Sequence, residues 1–116
     1  APYGQAAEET LKNLSLLEEL QPLFVLGENI SQTQQFISSG NAELGFIALS
    51  QVIDKDGNIS EGSAWIVPNT LHNPIKQEAI LLKKGELNPA APALLEFLKS
   101  PETLAIIKKY GYNLPQ

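Results

Sequence analysis

The chain has 116 residues, 43% of them hydrophobic and 18% charged, which is enough for one compact domain with its own core and too little for two. Its formal net charge is −5 and its eight basic residues are all lysines spread along the chain, so the basic stripe that nucleic acid demands is missing. With no cysteine there is no disulfide framework, thiolate metal site or catalytic thiol, and no run of about 18 apolar residues offers a membrane span. Nor is there a basic start followed by an apolar run of the kind an uncleaved signal peptide has. Methionine is absent and the chain opens on Ala1, from which we expect a processed mature protein or a piece of a longer one.

Pro2 stands where a helix can begin, and Ala7, Leu11 and Leu14 recur at helical spacing with Glu8, Glu9 and Lys12 outside that face. The acidic pair suits the positive end of the helix dipole, and Asn13 and Ser15 mark the helix end before a connector into Glu18 to Pro22. A strand is expected ahead of such a helix in an α/β unit. Leu23 to Leu26 and Leu44 to Leu49 are short apolar runs suited to buried strands of a parallel sheet. Between them Ile30, Thr33, Phe36 and Ile37 form one helix face, while Gln32, Gln34 and Gln35 fall away from it. Asn29 is the expected N-cap and Gly40 the stop. A right-handed crossover places that helix N-terminus just beyond the carboxyl end of the first strand, where first-turn amides suit an anion.

Asp54-Lys55-Asp56-Gly57-Asn58 is turn chemistry. It lacks the glutamate and the alternating oxygen ligands of a calcium loop, so a β-turn accounts for it better than a metal site. Ala64 to Val67 and Glu78 to Leu82 are expected strands, the second closed by Gly85, and they are separated by a loop with the single histidine, His72. A helix after Asn88-Pro89 carries Leu94, Leu95 and Leu98, and another begins with Ser100 as N-cap and Pro101 at its first position, carries Leu104, Ile107 and Tyr110, and stops at Gly111.

Enzyme chemistry has little to be built from. There is one histidine, no cysteine and no Gly-x-Ser-x-Gly elbow, and the carboxylate pairs Glu8/Glu9 and Glu18/Glu19 suit solvated helix faces. The Asn-x-Ser/Thr triplets at Asn13, Asn29 and Asn58 are read as chance. Trp65 and Phe46 are expected in the core. Tyr3, by contrast, stands at the start of the first helix, so its amide and that of Ile30 belong to two helix starts. The pattern alone leaves open whether these meet on one anion or are two ordinary helix ends.

Taken in order, APYG, GENISQ, GNAELGFIALSQV, GSAWIVPNTLHNPIKQEAILLKKG and NPAAPALLEFLKSPETLAIIKKYGY resemble the second half of the periplasmic molybdate-binding proteins of ABC transporters. The resemblance covers essentially the whole chain. It implies an α/β fold, one lobe of a type II periplasmic binding protein with a mostly parallel sheet flanked by helices. Residues 1–77 would be the second, anion-binding lobe and 78–116 the hinge-return strand and C-terminal helices, with the first lobe absent. The implied function is capture of a tetrahedral oxyanion, molybdate or tungstate, in the periplasm for an ABC permease, with no enzyme activity, cofactor, bound cation or nucleic-acid partner. The backbone N–H groups of Tyr3 and Ile30 map onto the family's anion donors. Ala48 stands where some members place a tyrosine whose hydroxyl reaches the anion, so that contact is missing. Surfaces that the first lobe covers would be bare or paired with another copy, and a homo-oligomer of the fragment is expected. The alternative is the effector-binding half of a LysR-type transcription regulator, which shares the bilobal fold.

Overall fold

A computed structural model describes residues 2–114; Ala1, with which the first motif opens, and Pro115 and Gln116 lie outside the described residues. The helices are α1 (Pro2–Asn13), α2 (Leu17–Leu20), α3 (Ile30–Ser38), α4 (Ala90–Phe97) and α5 (Pro101–Lys109), with single 3₁₀ turns at Gln21–Leu23, Leu49–Gln51 and Lys83–Gly85. The chain gathers into two units, one of Ala1–Gln51 with Ala64–Ile75 and the other of Val52–Ser63 with Lys76–Gln116.

In the first unit α1 starts at Pro2, whose fixed φ and missing N–H suit a first helical position. No acidic residue lies in its first turn, so Glu8 and Glu9 sit too far along to act on the dipole as expected. Thr10 and Leu11 are its buried residues; the Thr10 hydroxyl is satisfied by donating to the Ala6 carbonyl at 2.7 Å. Ser15 ends the helix in the left-handed region at φ 59, and the Leu16 N–H closes back on the Leu11 carbonyl at 2.8 Å, a Schellman closure. The segment expected to be a plain connector is α2 and the following 3₁₀ turn, because Pro22 lies in the first turn, where its missing N–H costs no hydrogen bond.

A long-range tie fixes the 68–75 loop against α1. Asn13 Nδ2 donates to the Leu71 carbonyl at 2.8 Å, and the Asn73 N–H donates to the Glu9 carboxylate at 2.7 Å. That N–H holds the Glu9 carboxyl below its ordinary range, because it stabilises the charged form.

The expected strands are not formed among the described residues. The runs within 24–27, 45–48, 64–67 and 76–82 carry no ladder, and the pairing that is present is an isolated antiparallel bridge between Ile53 and Ile59. A strand is a cooperative object needing a neighbour on at least one edge, and a short apolar run favours burial and an extended path without supplying that neighbour. Burial follows suit. Trp65, expected in the core, is 60% exposed, Phe46 is half-buried, and Leu26 and Ile80 are more than three-quarters exposed. The turn at 54–58 is as expected: Asp54 Oδ1 accepts from the N–H groups of Asp56 at 2.8 Å and Asn58 at 2.9 Å, and Gly57 takes φ 85. Those donors hold the Asp54 carboxyl low, Asn58 most.

In the second unit Ser100 caps α5, its hydroxyl accepting from the Thr103 N–H at 3.3 Å, with Pro101 beginning the helix. Thr103 is buried, and its hydroxyl donates to the Phe97 carbonyl at the end of α4 at 2.8 Å, which ties the two helices together. Gly111 at φ 81 closes α5, with the Tyr112 N–H reaching the Ile107 carbonyl at 3.3 Å. Ahead of α4, Asn88 Oδ1 accepts from the Ala90 N–H at 3.1 Å, and Pro89 occupies the cap position.

Two substitutions test these local arguments by urea unfolding. Ser100→Ala removes the α5 cap and is expected to lower stability by about 1 kcal/mol. Gly27→Ala is expected to cost about 1–3 kcal/mol, because a Cβ there meets the Thr33 side chain and stands 2.9 Å from the Thr33 backbone nitrogen, which cannot swing aside. An unchanged midpoint in Gly27→Ala would mean that the chain before α3 does not lie against its second turn.

Candidate functional site

The site is built from the start of α3 upward. Asn29 is extended, with φ −154 and ψ 170, and its side chain accepts from the Gln32 N–H at 2.9 Å. Gln32 reaches back, its Oε1 accepting from the Glu28 N–H at 2.6 Å, so the two carboxamides form a reciprocal cap shifted by one residue from the usual capping box. The Thr33 N–H turns to the Asn29 carbonyl at 3.2 Å. These bonds absorb the donors on either side of the first turn. Among the described residues the amides of Ile30 and Ser31 are left with no acceptor, pointing out of the helix where its dipole is positive.

A second layer holds this turn from behind. The Gln51 carboxamide accepts from the Ala48 N–H at 3.0 Å through Oε1, and its Nε2 donates to the Ile30 carbonyl at 3.3 Å and to Gln34 Oε1 at 3.0 Å. Gln34 Nε2 donates in return to the Gln51 carbonyl at 3.5 Å. Ala48 is buried, 6% exposed, and the backbone of Gly45 lies against Ile37 of α3. A larger side chain at 48 would have to displace this packing, whereas alanine leaves room for the carboxamide bridge.

Of the residues expected to donate to an anion, Ile30 is the first residue of α3 and half-buried, with its N–H in the unpaired pair. Tyr3 is the second residue of α1, half-buried, which puts its amide in that helix's first turn. Both belong to the first unit. Sequence reasoning set Gln32 and Gln34 off the apolar face of the helix; both are half-buried there and bonded. The Asn29-x-x-Gln32 spacing could have found Gln32; Gln51 acts across 21 residues and leaves no local signal.

No lysine lies in the 27–34 segment, so donors at this corner are neutral. Away from it, an open polar groove runs between α1 and the 69–74 loop, past Glu9, Lys12 and His72. His72 Nδ1 donates to the adjacent Asn73 carbonyl at 2.8 Å, a loop contact rather than a base aimed at a nucleophile. Among the described residues no group of His, Asp or Glu side chains could hold a metal ion, and no helix is long and apolar enough to cross a membrane.

The chain is 52% identical over 114 residues to the molybdate-binding protein ModA of Azotobacter vinelandii, covering 98% of this chain and 45% of that protein. It is 54% identical over 112 residues to ModA of Rhodobacter capsulatus, covering 97% of this chain and 43% of that one. Its fold superposes on the solved structure of an Azotobacter vinelandii periplasmic molybdate-binding protein with a TM-score of 0.91 at 37% identity, over 99% of this chain and 50% of that chain. The chain thus spans about half the length of these relatives. The family model described as bacterial extracellular solute-binding protein matches residues 1–113, and with the periplasmic-binding-protein fold this places the chain in the bacterial extracellular solute-binding protein family.

Proposed function

We propose that this chain is the oxyanion-holding part of a periplasmic receptor that captures molybdate or tungstate and delivers it to an ABC permease. The observation that carries the reading is the start of α3, where a neutral cap leaves the Ile30 and Ser31 amides free to donate and no cation lies in the segment. Ile30 and Tyr3 are the two proposed backbone donors. A tetrahedral oxyanion accepts from such amides with charge-assisted bonds of about 1.5–3 kcal/mol each. The names of the relatives support a receptor over a LysR-type regulator, and the arrangement offers binding without a cofactor or an enzyme's nucleophile and base. In the full-length protein we assign residues 1–77 to the anion-binding lobe and 78–116 to the return toward the hinge and the C-terminal helices, with a first lobe supplying the opposite wall. There the extended segments take places in a mostly parallel sheet flanked by helices.

Ile30→Pro tests the assignment, because proline is tolerated in a first helical turn yet deletes the donor. In the full-length protein it is expected to weaken molybdate binding by at least about tenfold in calorimetric titration, with Ile30→Val and Lys12→Gln close to wild type. Wild-type affinity in Ile30→Pro would remove this corner from the site. The 116-residue chain alone is expected to bind the oxyanion at least about a thousandfold more weakly than the full-length protein, for want of some three charge-assisted bonds, and to self-associate in sedimentation through its exposed apolar segments. A strictly monomeric chain with nanomolar affinity would show instead that the site is complete within these residues.

A further inference from the structure

Every polar atom of the Gln51 side chain is engaged, and each bond runs to something other than solvent. Oε1 takes the Ala48 N–H at 3.0 Å; Nε2 serves the Ile30 carbonyl at 3.3 Å and Gln34 Oε1 at 3.0 Å. A side chain wanted only to fasten α3 to the 3₁₀ turn Leu49–Gln51 could bond anywhere along the helix. This one reaches the first carbonyl of α3, which already serves as an intrahelical acceptor. That carbonyl and the Ser31 N–H are opposite ends of a single planar peptide. A donor at the oxygen draws electron density out of the amide nitrogen and strengthens the N–H at the other end. The Ser31 N–H is one of the two amides the cap leaves unpaired, so the added polarity appears at the open end of the helix.

From this geometry we infer that Gln51 is a positioning residue for the proposed oxyanion site, acting through the Ile30–Ser31 peptide, and that the Ser31 N–H is a further donor to the anion. Gln51 does not itself touch the ligand. It holds the first turn of α3 at a fixed distance from Ala48 and polarises the peptide whose N–H faces outward. The inference rests on the receptor reading for its ligand, but its structural half can be tested without one.

The experiment uses the full-length protein carrying Gln51→Met, which keeps length and removes both carboxamide atoms. In the ligand-free state the Ser31 amide resonance is expected to move upfield in proton and nitrogen dimensions while that of Thr103, in the other unit, stays in place. In molybdate titration the dissociation constant is expected to rise about tenfold, equivalent to about 1.4 kcal/mol. Should Gln51→Met not fold, Gln51→Asn keeps a neutral carboxamide one methylene too short to span from Ala48 to the Ile30 carbonyl, and the same two readings apply to it. An unshifted Ser31 resonance, or wild-type affinity alongside a lowered unfolding midpoint, would reduce Gln51 to a fastening and overturn the proposal. A wild-type protein that binds no molybdate would overturn the receptor reading instead, leaving the ligand-free Ser31 shift to decide on the peptide.

Discussion

Which amides remain open at the start of α3 is decided by how that start is capped. Asn29 and Gln32 are neutral, and between them they use up the N–H groups of Gln32 and Glu28, while Thr33 is taken by the Asn29 carbonyl. What is left is a pair of adjacent donors, Ile30 and Ser31, with the helix dipole behind them. A lysine at the same corner would attract an anion of any shape and would be screened by salt, whereas fixed amides act through direction and distance. The negative net charge of the chain is compatible with such a site, since the donors are short-range and the repulsion of scattered surface carboxylates falls away within a Debye length.

Buried polarity elsewhere follows the same economy. Thr10 and Thr103 are the buried polar residues of the described chain, one in each unit, and both return their hydroxyl protons to a backbone carbonyl. Thr10 bonds within α1, while Thr103 crosses from α5 to the end of α4. Neither leaves a buried polar atom without a partner, and none is found among the described residues. The long apolar side chains are treated differently. Leu26, Leu44, Ile80 and Leu87 are exposed along extended or irregular segments, so the described chain covers its polar interior better than its apolar surface.

Helix positions were legible in the sequence wherever a cap and a period agreed. Asn29, Ser100-Pro101 and Gly111 each name a local backbone geometry, and α3 and α5 begin or end on them. The turn at 54–58 was legible for the same reason. The sheet was read from apolar runs, a signal for burial and extension that carries no information on which edge meets which. Gln51 and the Asn13 to Leu71 bond were illegible because their partners lie 21 and 58 residues away and are backbone carbonyls, which every residue has. The pattern put the Tyr3 and Ile30 amides at helix starts and the resemblance joined them on one anion; of the cap beside Ile30, Asn29 was legible, while the Gln32 bond to the Glu28 N–H was not.

The discontinuity of the first unit bears on the order in which the protein is made. Its segments end at Gln51 and resume at Ala64, running to Ile75, so 24 further residues must leave the ribosome after Gln51 before the unit is whole. At about 5–20 residues per second that interval is roughly 1–5 s, against about a microsecond for a helix to form. During it α1 and α3 can form and the Gln51 bridge can close, but Glu9 and Asn13 have no loop to hold. The nascent chain can therefore form the first turn of α3, with its open amides, before the clasp across α1, and in the interim the flank of α1 that carries Glu9 and Asn13 stays uncovered.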